Sequence, residues 1–337
     1  DLGREHHGDR RSIASAMAHP KLSVTMTNYN YGEYLPRAIE SILRQSFTDF
    51  ELIIVDNAST DDSPEIISRY AAGDDRVRPI LRSENQGALA SLREGCDLAR
   101  GEYRVHVDAD DWIITDDAFE HQVAHLDAHP TMAFTYSCMV QIGPDDELIW
   151  VSHPYGGDRH LSGGEALEAI LSFTLNHSGT MLRLDAYRAI GGYAEGLPQV
   201  DDMDLAARLC AQGTVGYLDR QLYAFRQHGT NANARPELGV VTEQFLPVIE
   251  AALDGPAGDQ IPDRELVRRR VVRRALLHLP TRHVFSGQPR IGWRLWLESL
   301  RARPRDTLLQ RQTVALVART LLGERLYATA TGRPAHG

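Results

Sequence analysis

The chain has 337 residues, 42% of them hydrophobic and 24% charged, with a net charge of −10. That is room for one large α/β domain with an appendage, or for two domains, and no apolar run approaches the ~18–20 residues of a membrane span. Three cysteines, Cys96, Cys138 and Cys210, lie far apart without a CxxC pair, which argues for a reducing compartment and against a disulfide framework or a zinc site.

Residues 1–20, DLGREHHGDRRSIASAMAHP, are polar, rich in histidine and without an apolar h-region, so they read as a disordered segment rather than a secretory signal. LSVTMT (22–27) is a β-branched apolar run ending in polar NYN, a strand. EYLPRAIESILRQ (33–45) carries Leu35, Ile39, Ile42 and Leu43 at helical spacing. FELIIVD (50–56) is almost continuously apolar, as in a strand covered on both faces. SPEIISRYAA (63–72) reads as a helix with Ser63 as N-cap and Pro64 in the first position. VRPILR (77–82) is a strand whose Pro79 suggests a sheet edge. GALASLREGCDLAR (87–100) is a helix and YRVHVD (103–108) a strand. The β-α-β-α-β-α-β order implies a parallel, doubly wound sheet with right-handed crossovers.

The pattern then changes. A helix is expected over 116–129, strands over 132–142 and 147–153, a helix over 163–175, and a short strand over 180–184 followed by a helix and the turn GGY (191–193). DDMDLAARLCAQG (201–213) reads as a helix stopped by its glycine, followed by two strands, VGYLD and LYAFRQH. Past about residue 240 the chain is mainly helical, with GPAGDQIP (255–262) as a candidate boundary. Residues 263–337 hold sixteen arginines and five acidic residues, a balance of +11 against −21 for the rest. A basic tail on an acidic body points to docking on that body, with an anionic partner or a membrane surface as alternatives. RIGWRLWLESLRARP (290–304) sets Trp293, Trp296, Leu297 and Leu300 on one helical face. That face is expected to pack on its own domain or on a second copy of the chain; peripheral membrane contact is the alternative.

Ligands of doubly wound sheets sit at the carboxyl ends of the strands. Here those ends read Asn28-Tyr29-Asn30, Asp56-Asn57 and Asp108-Ala109-Asp110-Asp111. Crowded carboxylates are costly unless a cation neutralises them, and oxygen ligands suit Mg²⁺ or Mn²⁺ completed by substrate phosphates.

With these motifs the chain resembles the family-2 glycosyltransferases of the GT-A fold. The likeness covers about residues 21–232, through SVTMTNYNYGEYLPRAIESILRQSFTDFELIIVDNASTDDS, ENQG (84–87), VDADDW, GTMLRLDAYRAIGGYAEGLPQVDDMDLAARL and FRQHGTN (225–231). It implies a GT-A type, mostly parallel sheet flanked by helices over 21–240, with a nucleotide-binding half (21–115), an acceptor-side half (116–240) and a helical, Arg-rich extension (241–337). It further implies a metal-dependent, inverting transfer from a nucleoside-diphosphate sugar, by family habit a UDP-sugar, to an acceptor hydroxyl. The acceptor would be a small molecule, a glycan or a lipid-linked intermediate, and the enzyme would be cytoplasmic or on the inner membrane face.

The donor positions carried over are Thr27, Tyr29, Asn30, Asp56, Asn85, Asp108, Ala109 and Arg226, with Tyr29 and Asp56 holding the base. Asp110 is the implied metal ligand, joined by His228 as a metal or phosphate ligand unless it is an ordinary loop histidine, and Asp111, Asp201 and Asp204 are supporting residues. Asp202 matches the general base, which must lie opposite the leaving diphosphate. Arg226 would stabilise that diphosphate or form a structural ion pair, and Asp204 would brace its helix or bind Arg208. The chain departs from the family at Thr27, where proline is frequent, and at Asn57-Ala58, where Asp-Gly is common. The rival readings are a non-catalytic sugar-nucleotide binder and a sugar-phosphate nucleotidyltransferase; NYNYGEYL lacks the Gly-rich, basic phosphate loop that the second needs. The acidic body disfavours nucleic acid.

Overall fold

The computed structural model describes residues 19–172, 178–228, 239–285 and 289–308. Of the expectations above, the disorder of residues 1–18, the end of the helix at 173–175, the GTN of FRQHGTN and the tail from 309 onward lie outside the described residues.

The first half alternates strands and helices: β1 (Leu22–Asn28), α1 (Leu35–Leu43), β2 (Phe50–Asp56), α2 (Ser63–Gly73), β3 (Val77–Leu81), α3 (Ala88–Asp97) and β4 (Tyr103–His106). These strands pair in parallel, and the β1–β2 register runs from Leu22↔Phe50 to Asn28↔Asp56. That register sets the polar ends of β1 and β2 side by side. Every residue of β2 is buried. Leu52 and Ile54 face one core with α1 and α2, while Ile53 and Val55 face the other with α3. Pro79 sits in β3, the outermost strand, where its missing N–H costs no ladder bond.

The second half adds β5 (Trp112–Ile113), α4 (Ala118–Ala128), β6 (Met132–Ile142), β7 (Leu148–Val151), β8 (Arg159–Leu161), α5 (Gly163–Leu171), β9 (Met181–Arg183), α6 (Leu184–Ala189), α7 (Asp201–Leu209) and β10 (Thr214–Arg226). The sheet order is β3-β2-β1-β4-β9-β6-β10-β5, with β7 on β6 and β8 on β10. β9 runs antiparallel between β4 and β6 and joins the two halves. At its entrance Gly179 (φ 88) donates its N–H to the His106 carbonyl at 2.8 Å, and a Cβ there would meet the Tyr223 ring at 2.3 Å.

Three local expectations are corrected, and two short strands are added. VGYLD and LYAFRQH form one strand, β10, whose register against β6 slips between Leu218 and Tyr223, so the intervening residues bulge. β5 and β8 are too short to show a period in the sequence. Ser63 is the first helical residue of α2 rather than its cap; Asp61 Oδ1 accepts the Ser63 N–H at 3.1 Å. α7 ends at Leu209, and Gly213 serves close packing, since a Cβ there would lie 2.1 Å from the Thr131 carbonyl oxygen.

After residue 239 come a π-helical turn (Val240–Phe245), α8 (Leu246–Asp254), a 3-10 turn (Gly258–Gln260), α9 (Arg264–Phe285), α10 (Pro289–Ala302) and α11 (Pro304–Leu308). Val241, Ile249, Val271, Leu276 and Leu295 enter the same core cluster as α5 and α7. GPAGDQIP is packed rather than free: Ala257 and Ile261 are buried, and Gln260 Oε1 accepts the Gly164 N–H at 3.2 Å. Arginines of this region dock on acids of the body and of α8, Arg270 on Glu168 and Arg268 on Glu250 and Asp254. In α10 the buried positions are Gly292, Leu295 and Ser299, with Trp293 and Trp296 half-buried, whereas Leu297 is exposed. The inward stripe is therefore rotated from the expected one. Among the described residues no helix is long and apolar enough to cross a membrane.

Candidate functional site

The site is built where β1, β2, β4 and β10 end and α7 begins. At β1 and β2, Asn28 Nδ2 donates to Asp56 Oδ1 at 2.7 Å and to Ser59 Oγ at 3.1 Å. Asp56 is buried and also accepts the Ser59 N–H and hydroxyl, at 2.9 and 2.6 Å. A carboxylate has about four acceptor positions, so room remains for one more donor. Thr27 lies half-buried one residue upstream, and the Tyr29 ring is exposed. Asn30 (φ 58) braces the loop, its Oδ1 accepting the Thr60 N–H at 2.7 Å. The departure at Asn57-Ala58 has a local logic. Asn57 Nδ2 donates to Asn85 Oδ1 at 2.9 Å, while its Oδ1 accepts the Gln86 N–H at 2.9 Å and Arg82 at 3.1 Å. An aspartate could not donate. Ala58 takes φ 63, the left-handed region that glycine occupies without strain.

At β4, Tyr103 and Val105 face the core, which turns Arg104 and His106 to the opposite face. Arg104 Nε donates to Thr25 Oγ1 at 2.8 Å; Thr25 Oγ1 lies 3.2 Å from His106 Nδ1, and His106 Nε2 lies 2.9 Å from Asp108 Oδ1. Burial, and then the Arg104 charge, hold the His106 pKa well below its ordinary value. A neutral ring that accepts at Nδ1 from Thr25 and donates at Nε2 aims Asp108. The periodicity argument did not single out His106, although its place in VHVDADD, on the face opposite the valines, was the available signal.

Ala109 is buried, and Asp110 and Asp111 sit beneath the cleft surface. Asp110 Oδ2 lies 2.9 Å from His228 Nε2. The His228 ring stacks on Tyr34 (centroids 5.1 Å, 28°) and meets Tyr31 edge-on. Asp111 Oδ1 accepts the Arg226 N–H at 2.9 Å, tying the β4 loop to the end of β10. Burial pushes the carboxyls of Asp110 and Asp111 up, with Asp108 pushing the same way. Arg226 is buried, with its Nη1 donating to the Pro144 carbonyl at 2.9 Å and its Nη2 2.7 Å from Asp146 Oδ1. Asp146 also binds Arg37 at 2.5 Å, and Trp112 lies against both guanidinium groups. A cleft of about 380 Å³ opens there, lined by Glu33, Tyr34, Arg37, Asp110, Asp111, Trp112, Pro144, Asp145, Asp146 and Arg226.

From the other half, α7 presents Asp201, Asp202 and Asp204 in its first turn, where the helix dipole favours anions. Asp202 Oδ1 accepts the Met203 N–H at 2.7 Å. Burial pushes both Asp201 and Asp202 up, and the Asp108 charge raises each further. Asp108, from the first half, is thus close enough to Asp201 and Asp202, from the second, for its charge to act on both. Asp204 points away and binds Arg208 at 2.5 Å.

The donor set fits a divalent cation. Asp110 and His228 offer an oxygen and an imidazole nitrogen in contact, and the buried Asp111 Oδ2 has no hydrogen-bond partner among the described residues. Three carboxyls within one loop are short of positive charge, and oxygen with imidazole suits Mn²⁺ or Mg²⁺ better than a thiophilic ion.

Solved structures share the fold. The chain superposes on S. aureus TarS 1–349 in complex with UDP-GlcNAc with a TM-score of 0.63 at 18% identity, covering 92% of this chain and 87% of that one. It superposes on the mannosyltransferase PcManGT from Pyrobaculum calidifontis, in complex with GDP-Man and Mn²⁺, with a TM-score of 0.54 at 18% identity over 94% and 84% of the two chains. In sequence, EpsE of Bacillus subtilis, whose name calls it a glycosyltransferase, is 33% identical over 213 residues, 62% of this chain and 73% of that protein. Hyaluronan synthase of Pasteurella multocida is 25% identical over 235 residues, 70% of this chain, which spans only 23% of that larger protein. The sequence model described as Glycosyl transferase family 2 matches residues 23–191, half of the chain. With a GT-A sheet, acids at its strand ends and this match, the chain belongs to glycosyltransferase family 2.

Proposed function

We propose that the protein transfers a sugar from a nucleoside-diphosphate sugar, of the UDP class, to an acceptor hydroxyl with inversion, in a reaction that needs a divalent cation. The observation that carries this reading is that Asp108, beside the Asp110–His228 pair, lies near enough to Asp202 for its charge to raise that carboxyl. In this reading the Tyr29 ring stacks on the base, Asp56 and Asn85 hold the nucleoside side, and Asp108, aimed by His106, meets the ribose and the donor sugar. Asp110 and His228 would hold the cation, which supplies charge neutralisation for the diphosphate as it leaves. Asp202 takes the proton of the acceptor hydroxyl as that oxygen bonds to the anomeric carbon and the carbon–oxygen bond to the diphosphate breaks. One displacement inverts the centre. A carboxyl raised by burial is a better base than an ordinary aspartate, provided it is ionised.

Arg226 is held by Asp146 and the Pro144 carbonyl, so in this reading it shapes the diphosphate end of the cleft. Three buried free cysteines support a reducing, cytoplasmic setting. The acceptor is assigned only as a hydroxyl of a small molecule, glycan or lipid-linked intermediate, reached through the second half.

Calorimetric titration with UDP, GDP and dTDP, each with and without Mn²⁺, tests this reading. UDP binding that depends on Mn²⁺ is expected, and Asp110→Asn should weaken the metal-dependent part by roughly 10–100-fold. Equal affinity with and without metal in the wild type would remove the metal from the mechanism.

A further inference from the structure

A second group of ligating side chains lies apart from the acidic cluster. Cys138 is a buried residue of β6, His153 follows β7, and Asp219 lies where β10 slips register. Cys138 Sγ is 3.3 Å from His153 Nδ1 and 3.4 Å from Asp219 Oδ1, and His153 Nδ1 is 2.9 Å from the same oxygen. Tyr217 Oη donates to Asp219 Oδ1 at 2.8 Å. Cys138 Sγ also lies 3.2 Å from Tyr217 Oη, so a thiol, an imidazole nitrogen and a carboxylate oxygen crowd one point with the phenol behind them. The ring is also not placed as in a Cys-His-Asp catalytic relay, because sulfur and carboxylate address the same nitrogen rather than opposite ones.

We infer that Cys138, His153 and Asp219 form a binding site for a thiophilic divalent ion of the Zn²⁺ class, distinct from the donor-site cation. Bonds of about 2.3 Å to sulfur and 2.0–2.1 Å to nitrogen and oxygen, at tetrahedral angles, separate ligand atoms by roughly 3.3–3.6 Å. The observed triangle opens to that size with shifts of a few tenths of an ångström. Tyr217 supplies the outer hydrogen bond that orients a ligating carboxylate. His153 is 45% exposed at its side chain, so ions have access and the fourth position opens to water. On binding, the Cys138 S–H proton passes to solvent and a sulfur–metal bond forms, with His153 neutral and Asp219 ionised. Because that one proton is released on binding, affinity rises with pH. The ion would tie the β6–β7 hairpin to the β10 bulge, on the two strands that lead to Asp146 and Arg226.

Cobalt separates this site from the donor site, which contains no sulfur. Titration of the full chain with Co²⁺ is expected to give, at one equivalent, a near-ultraviolet thiolate-to-cobalt charge-transfer band that Zn²⁺ abolishes. Cys138→Ser should lose the band. His153→Ala, at an exposed position that tolerates change, should weaken Zn²⁺ binding by roughly tenfold or more. Asp110→Asn should leave the band intact. The other cysteines are buried away from these ligands. Absence of a sulfur–cobalt band in the wild type, its survival in Cys138→Ser, or unchanged Zn²⁺ affinity in His153→Ala would overturn the assignment. None of these results depends on sugar transfer.

Discussion

Asp202 has the same chemical identity as Asp204, two positions along one helix turn, yet their surroundings give them different work. Asp204 is neutralised by Arg208. Asp202 has no cation paired with it among the described residues, sits deep enough for burial to raise its carboxyl, and feels the Asp108 charge from the other half. A base whose pKa is raised is protonated, and idle, over a wider acidic range than an ordinary aspartate. Transfer should therefore rise with pH through an apparent pKa above the usual carboxylate value of about 3.9 and then level. Asp202→Asn should remove that limb and cut kcat by about 10²–10⁴-fold while leaving Mn²⁺-dependent UDP affinity within about twofold. A transfer rate near that of the wild type would transfer the base role elsewhere.

At the scale of elements, the site depends on strands ending together and on the loops that follow them. The β1–β2 register delivers Asn28 beside Asp56, and the loop after β2 is held by Ser59 and Asn57 rather than by burial of apolar groups. Ala58 holds that loop in a left-handed conformation that costs an L-residue about 1–2 kcal/mol. Glycine would relieve the strain and return part of the gain through the greater freedom of the unfolded chain, about 0.4–1 kcal/mol. Ala58→Gly is expected to stabilise the protein by about 0.5 kcal/mol, read as a higher urea midpoint with an unchanged slope. A lower midpoint would mean that the Ala58 methyl makes a packing contribution larger than the strain.

At the scale of the whole molecule, the helices from Val240 onward are not an independent appendage. They close the core that α5, α6 and α7 share with the sheet, and α7 carries Asp202. Glu298 of α10 accepts the N–H groups of Gly239 and Thr242, at 3.2 and 2.9 Å, and so anchors the entry to these helices. A chain truncated at residue 238 would expose the apolar faces of α5 and α7 to water. It is expected to lose near-ultraviolet circular dichroism and to bind a hydrophobic dye, with Mn²⁺-dependent UDP binding lost as well. A truncated chain that stays folded and binds UDP would make the extension a separate unit. The arginine excess of the extension reads differently in this light, since Arg268, Arg270 and Arg303 meet acidic partners within the chain.

What could be read in advance follows the range of the interactions. The four parallel strands, their helices and the convergence of Asp56, Asp108 and Asp110 on one rim were legible, because burial on both faces writes apolar runs and the doubly wound topology makes strand ends meet. Asp202 and His228 were legible only by resemblance, since nothing local joins residues that lie 94 positions from Asp108 and 118 from Asp110. The antiparallel β9, the two-residue β5 and the slip in β10 had no periodic signal, because their positions are set by partners rather than by their own pattern. His106 looked like one polar residue in a strand until β1 placed Thr25 beside it. Cys138, His153 and Asp219 looked scattered because ligand spacing along a sequence is informative only when one short segment supplies the ligands. Three strands supply these, and only the packing of β6, β7 and β10 brings a thiol, an imidazole and a carboxylate to one point.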